Sequence, residues 1–113
     1  MAIALHEEGT YTDTPSSTWD SIQTTSPNTT DGIYQVILGV NALVAGDTLE
    51  ARFQVKDAAA GTLRTVWTCA WTGVQSDPGW VSPIVAAVND WDFAMRQTVG
   101  TGRAIKWSIV KVT

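Results

Sequence analysis

Hydrophobic and polar positions alternate along most of this chain with a period of two. The cleanest case is TLEARFQVK at 48–56. Leu49, Ala51, Phe53 and Val55 fall on one face, and Thr48, Glu50, Arg52, Gln54 and Lys56 on the other. That pattern predicts a strand with one buried and one wet face, as antiparallel sheets have. In IYQVILGV at 33–40, Tyr34, Val36, Leu38 and Val40 share a face. Ile33 and Ile37 occupy the other face, so burial on both sides is expected. LRTVWTCAW at 63–71 sets Leu63, Thr65, Trp67, Cys69 and Trp71 against Arg64, Val66, Thr68 and Ala70. GRAIKWSIVKV places Ile105, Trp107 and Ile109 inward, with Lys106 and Ser108 outward. Turn chemistry separates these runs at 26–32, 41–47, 57–62, 73–79 and 99–102, where Gly, Asn, Asp and Pro gather. Gly61 is available there for a positive φ.

Two regions are less regular. The first thirty residues are rich in Thr and Ser, and their large apolar members are Tyr11, Trp19 and Ile22. Residues 2–6 are expected to form a short edge strand and 17–24 a strand led by Trp19, with an irregular stretch around Pro15 between them. Residues 1–16 are thus an N-terminal arm or edge strand, and 17–113 the body of the domain. The second region is SPIVAAVNDWDFAMRQ at 82–97. Ser82 and Pro83 suit a helix start, with Ile84, Val85, Val88, Trp91 and Met95 as a helical stripe. The rival is two strands, at about 80–86 and 90–98, with a turn at Asn89-Asp90. Seven to eight strands at this spacing predict an all-β, single-domain antiparallel β-sandwich, immunoglobulin-like or jelly-roll.

Composition narrows the reading. One domain fits 113 residues, and that length can bury a core without metal or disulfide staples. Charged residues are 16%, against roughly 25% in an average domain. Sixteen threonines and six tryptophans favour β-structure over a helical bundle. Seven scattered basic residues face eleven acidic ones, so no basic surface for phosphates is visible and no nucleic-acid partner is expected. No apolar run approaches the roughly 20 residues of a membrane span. The start, MAIALHEEGT, lacks the features of a secretory leader, and the lone Cys69 has no internal disulfide partner. Synthesis in a reducing cytoplasm is the expectation.

Reactive chemistry is sparse. His6 is the single histidine, and the second His of an HExxH motif is replaced by Thr10. Cys69, between Trp67 and Trp71, is expected to be a small core residue. Asp90 and Asp92 would share a strand face, either solvated or able to help hold a cation. GTGR at 100–103 lacks the spacing of a phosphate loop, and Asn28-Thr29-Thr30 matches a glycosylation sequon by accident. No catalytic, cofactor or metal residues are assigned. Trp67, Trp71 and Trp107 are expected in the core. Trp80 is the first choice for an exposed aromatic, ahead of Trp19 and Trp91.

Gly46-Asp47, Glu50 to Arg52, Gln97 through Ala104, and Trp107 form a pattern across residues 31–112. That pattern resembles small structural proteins encoded in tailed-phage genomes. The resemblance implies two strands over 80–98, an all-β fold and a non-enzymatic virion role with no catalytic residue to carry over. Capsid decoration is the role expected, with the major capsid protein as partner, self-association as a trimer or dimer, and a place on the capsid surface. His6, Tyr11, Trp19 and Trp80 are the candidate interface residues. The alternatives are a carbohydrate-binding module using exposed Trp, and a tail or head-completion adaptor.

Overall fold

The computed structural model describes residues 2–16 and 18–112. Among the described residues there are nine strands: β1 (Ile3–Tyr11), β2 (Asp20–Ser21), β3 (Gly32–Gly39), β4 (Thr48–Lys56), β5 (Leu63–Thr72), β6 (Gly79–Val81), β7 (Val85–Ala87), β8 (Trp91–Val99) and β9 (Ile105–Val112). No helix forms among the described residues. A first sheet runs β1-β9-β3-β6, with β7 also pairing β3, and a second runs β2-β8-β4-β5. All pairings are antiparallel. The two sheets form a β-sandwich whose shortest dimension is 20 Å, the depth of two layers about 10 Å apart.

The inner faces are those the alternation assigned. Tyr34, Val36 and Leu38 of β3 and Ile105, Trp107 and Ile109 of β9 meet Leu49, Ala51 and Phe53 of β4 and Trp91, Phe93 and Met95 of β8. Trp91 is the centre of this core. Its ring lies 4.3 Å from Tyr34 across the sandwich and 5.6 Å from Phe53 beside it. Burying these rings requires partners for their polar tips. The Thr30 carbonyl accepts from both Trp91 Nε1 (3.2 Å) and the Tyr34 hydroxyl (2.7 Å).

Three departures from the pattern have local causes. The region 82–97 is strand, but the expected 80–86 strand breaks at Ser82-Pro83, because proline has no N–H to give the ladder. The Ser82 hydroxyl fills the gap, accepting from Val36 N at 2.8 Å and donating to the Pro83 carbonyl at 2.8 Å. In the expected strand 17–24, Ser17 lies outside the described residues and only Asp20–Ser21 pair as strand. The chain still follows β8, with Ile22 N donating to Phe93 O and Asn28 exchanging bonds with Trp91. The amide of Gln23 replaces backbone here: its Oε1 accepts from Phe93 N at 3.2 Å. Finally, a bulge in β5 sets Val66 and Trp67 against Phe53, so Thr65 moves to the outer face and bonds Gln54.

Strand β1 pairs with β9 from Ile3 to Tyr11, well beyond the expected residues 2–6. It forms the edge of the first sheet opposite β6.

Candidate functional site

The four candidate interface residues do not converge. A bulge between Leu5 and Glu7 leaves His6 as the extra residue of β1 and aims it inward. Its ring packs edge-on to Tyr34 at 5.3 Å and tilted to Trp91 at 5.7 Å, with Nε2 3.2 Å from Asn28 Nδ2. The sequon asparagine is itself buried, and its Oδ1 accepts from Thr30 N. Tyr11 stands at the other end of β1. Its hydroxyl donates to Asp20 Oδ2 at 2.7 Å and lies 3.2 Å from the Met95 carbonyl. Burial, then the hydrogen bonds to Asp20 and Asp13, push its pKa far up. Trp19 lies on the outer side of the second sheet, with the guanidiniums of Arg96 and Arg52 4.2 Å and 4.6 Å from its ring centroid. Trp80, on β6, stacks on Trp67 at 4.9 Å and meets Trp71 edge-on at 5.0 Å. It is a half-buried tie between the two sheets. Trp91 has no exposed surface, so it offers no platform for a ligand.

The carboxylates singled out by sequence hold the fold together. Asp92 is buried and accepts from Gln23 Nε2 (2.6 Å), Ser26 Oγ (2.7 Å) and Ser21 Oγ (2.8 Å). It clamps the irregular segment after Trp19 onto β8. Asp90 precedes β8 and faces Lys56 at 3.8 Å. Asp47 is buried at the end of the β3–β4 loop. It accepts from Val44 N (3.0 Å), Arg103 Nε (2.7 Å) and Thr101 N (3.2 Å). The Val44 amide first, then Arg103, hold its carboxyl below the usual carboxylate range. Gln97 completes the knot, giving its amide hydrogens to the Val99 and Thr101 carbonyls and accepting from Arg103 N. The Gly-Asp and Gln97–Ala104 segments are thus the two halves of one loop lock. Among the described residues, no three His, Cys, Asp or Glu side chains gather as a metal site.

The outer face of the first sheet is exposed among the described residues, and the sequence pattern does not mark it as a surface. The outward residues of the first sheet form rows across β1, β9 and β3, and on to β6 and β7. Ile3, Val112, Ile33 and Ala86 make the first row, and Leu5, Val110 and Gln35 the second. Glu8, Ser108, Ile37 and Val81 make the third, and Thr10, Lys106, Gly39 and Gly79 the fourth. Ile3, Leu5, Ile33, Ile37 and Val81 are 71, 56, 40, 42 and 51% exposed. Burial of Ile33 and Ile37 on the outer side, expected from their position, is therefore not what occurs. In the last two rows, small side chains leave a shallow depression of about 630 Å³ over Gly39, Ser108 and Thr10. A smaller apolar groove of about 410 Å³ lies where the sandwich opens between β5 and β7, lined by Val66, Trp67 and Pro83 through Ala86. The signal for the open face was the double-sided run IYQVILGV, together with Val110 and Val112 beyond the core residues of β9. Apolar positions on both faces of a strand mean either a third layer of the same chain or a surface, and sequence does not distinguish them.

Comparison of the chain with protein-family models, with curated proteins and with solved structures finds no match.

Proposed function

We propose that this protein is a non-enzymatic structural component of a phage particle, a decoration protein that binds the major capsid protein on the outside of the head. The exposed, largely apolar outer face of the first sheet carries the structural half of the reading, as a surface through which the protein assembles. Single exposed apolar residues are ordinary, but a contiguous apolar sheet face on a folded domain marks an assembly surface. Strand geometry supports such use, because a sheet presents its face preformed and little side-chain freedom is lost when β-branched residues are covered. The potentially reactive side chains Asp47, Asp92, Tyr11 and His6 are engaged in internal contacts that close loops and ends. The choice of a phage head as the setting follows from the resemblance of residues 31–112. On a repeating lattice, a modest stabilisation from each bound copy sums to a large total for the shell.

Purified protein mixed with capsids that lack it is expected to co-sediment and to saturate at a fixed number per particle. Absence of sedimentation with mature capsids overturns the decoration role. A few copies per virion on a stained gel, rather than hundreds, would assign it to a tail or head-completion adaptor. Retention on polysaccharide with no capsid binding would assign it to sugar recognition.

A further inference from the structure

We infer that the outer face of the first sheet is a homodimer interface, closed by a second copy of this chain about a two-fold axis. The inference rests on the assembly role just proposed and names the partner that covers this face first. Three observations select a second copy. The chain carries a net charge of −4, yet among the described residues of the four rows the charged side chains are Glu8 and Lys106, which cancel. Two acidic molecules therefore meet there without the repulsion that other approaches would carry.

The face also complements itself in shape. At one end of the strands Ile3, Leu5 and Ile33 project, and at the other the surface sinks over Gly39 and Ser108. An in-plane two-fold axis crossing the strands lays the projecting rows of each copy over the depression of the other, as an isologous contact requires. Finally, the area is sufficient. Four strands at about 4.8 Å spacing and eight residues at about 3.3 Å rise give roughly 500 Å² of projected face per copy. A pair then covers on the order of 1,000 Å² in total, the lower bound for a specific interface.

A dimer closed in this way suits a two-fold position on a capsid lattice and leaves the loops of both copies free for it. Sedimentation equilibrium of the full chain tests the inference in the absence of capsid. The wild type is expected to be dimeric with a dissociation constant below about 10 µM. The dimer should persist at about 1 M salt, where screened ion pairs fail. Ile37→Lys is expected to raise the dissociation constant by about 30-fold or more, since the axis places each substitution in the interface twice. Leu5→Lys should act in the same direction. Val74→Lys, at an exposed residue of the β5–β6 loop outside the four rows, should change nothing. Near-ultraviolet circular dichroism confirms that each variant is folded. A monomeric wild type, or a dimer indifferent to both Ile37→Lys and Leu5→Lys, overturns the inference. A monomer that still saturates capsids would do so while leaving the decoration role standing.

Discussion

Asp47 accepts hydrogen bonds from two backbone amides and Arg103, and Asp57 is held in the same manner by Arg64 and the Thr62 amide. Both carboxyls are lowered below their unfolded value, Asp47 chiefly by the Val44 amide and Asp57 chiefly by Arg64. A lowered carboxyl contributes stability that is present above its unfolded pKa, near 4, and lost as pH falls through the folded value. Melting temperature is therefore expected to drop below about pH 4, and more gently in Asp47→Asn, which starts lower at neutral pH. The tyrosines act in the opposite direction. Tyr11 and Tyr34 are raised, above all by burial. Their neutral forms favour the fold below about pH 10, the unfolded value, and that stability is lost above it. An ultraviolet titration should show neither phenol ionising ahead of unfolding, and Tyr11→Phe should soften the alkaline loss. Asp92→Ala removes the acceptor of three hydrogen bonds and should cost about 2–4 kcal/mol in urea unfolding.

Strand β1 shows how an element can differ from its local sequence signal. The alternation of IALHEEGTY is broken by the His6 bulge, so Ile3 and Leu5 point outward and Tyr11 inward. Only the partner β9 makes sense of this, because Gly9 opposite Trp107 leaves room for the indole, 3.0 Å from where a Cβ would stand. Deleting residues 2–11 should strip β9 of one of its two partners and uncover Trp107, with a large loss of stability. A dispensable arm would leave melting unchanged. The turn between β8 and β9 depends on Gly100, whose φ of +96° is left-handed and whose Cβ would collide with Asp47 Oδ1. Gly100→Ala should cost about 1–3 kcal/mol and loosen the loop lock. The rival helix over 82–97 had a fair pattern of its own. Pairing of β8 with β4 along its length, through Trp91, Phe93 and Met95, decided against it.

The two sheets share one aromatic core and are tied again at its margin by Trp80 against Trp67 and Trp71. Unfolding is thus expected in a single transition, with near- and far-ultraviolet circular dichroism coincident. Trp80→Ala should lower stability by about 2–3 kcal/mol and raise acrylamide quenching of the remaining tryptophans, since Trp67 loses its cover. An exposed sugar platform at Trp80 would predict the reverse, with little loss of stability. The acidic excess lies away from the outer face of the first sheet, so the molecule combines a charged body with one apolar side.

Period-two alternation alone determined the fold class and most of the inner face, because burial on one side of a pleated strand selects every second residue. It sufficed for Leu49, Ala51 and Phe53, for Tyr34, Val36 and Leu38, and for Trp107 and Ile109. The Gly-Asp and Gln97–Ala104 segments were also visible as a pattern, but not as two halves of one knot. Tertiary structure decided what alternation does not encode: where bulges at His6 and Val66 reverse the facing, which strands are edges, and that Asp92 is buried by a segment about seventy residues earlier in the chain. It also decided that Ile33 and Ile37 meet no third layer. Those outcomes depend on contacts between residues distant in sequence, and a local pattern carries no information about which distant surface arrives.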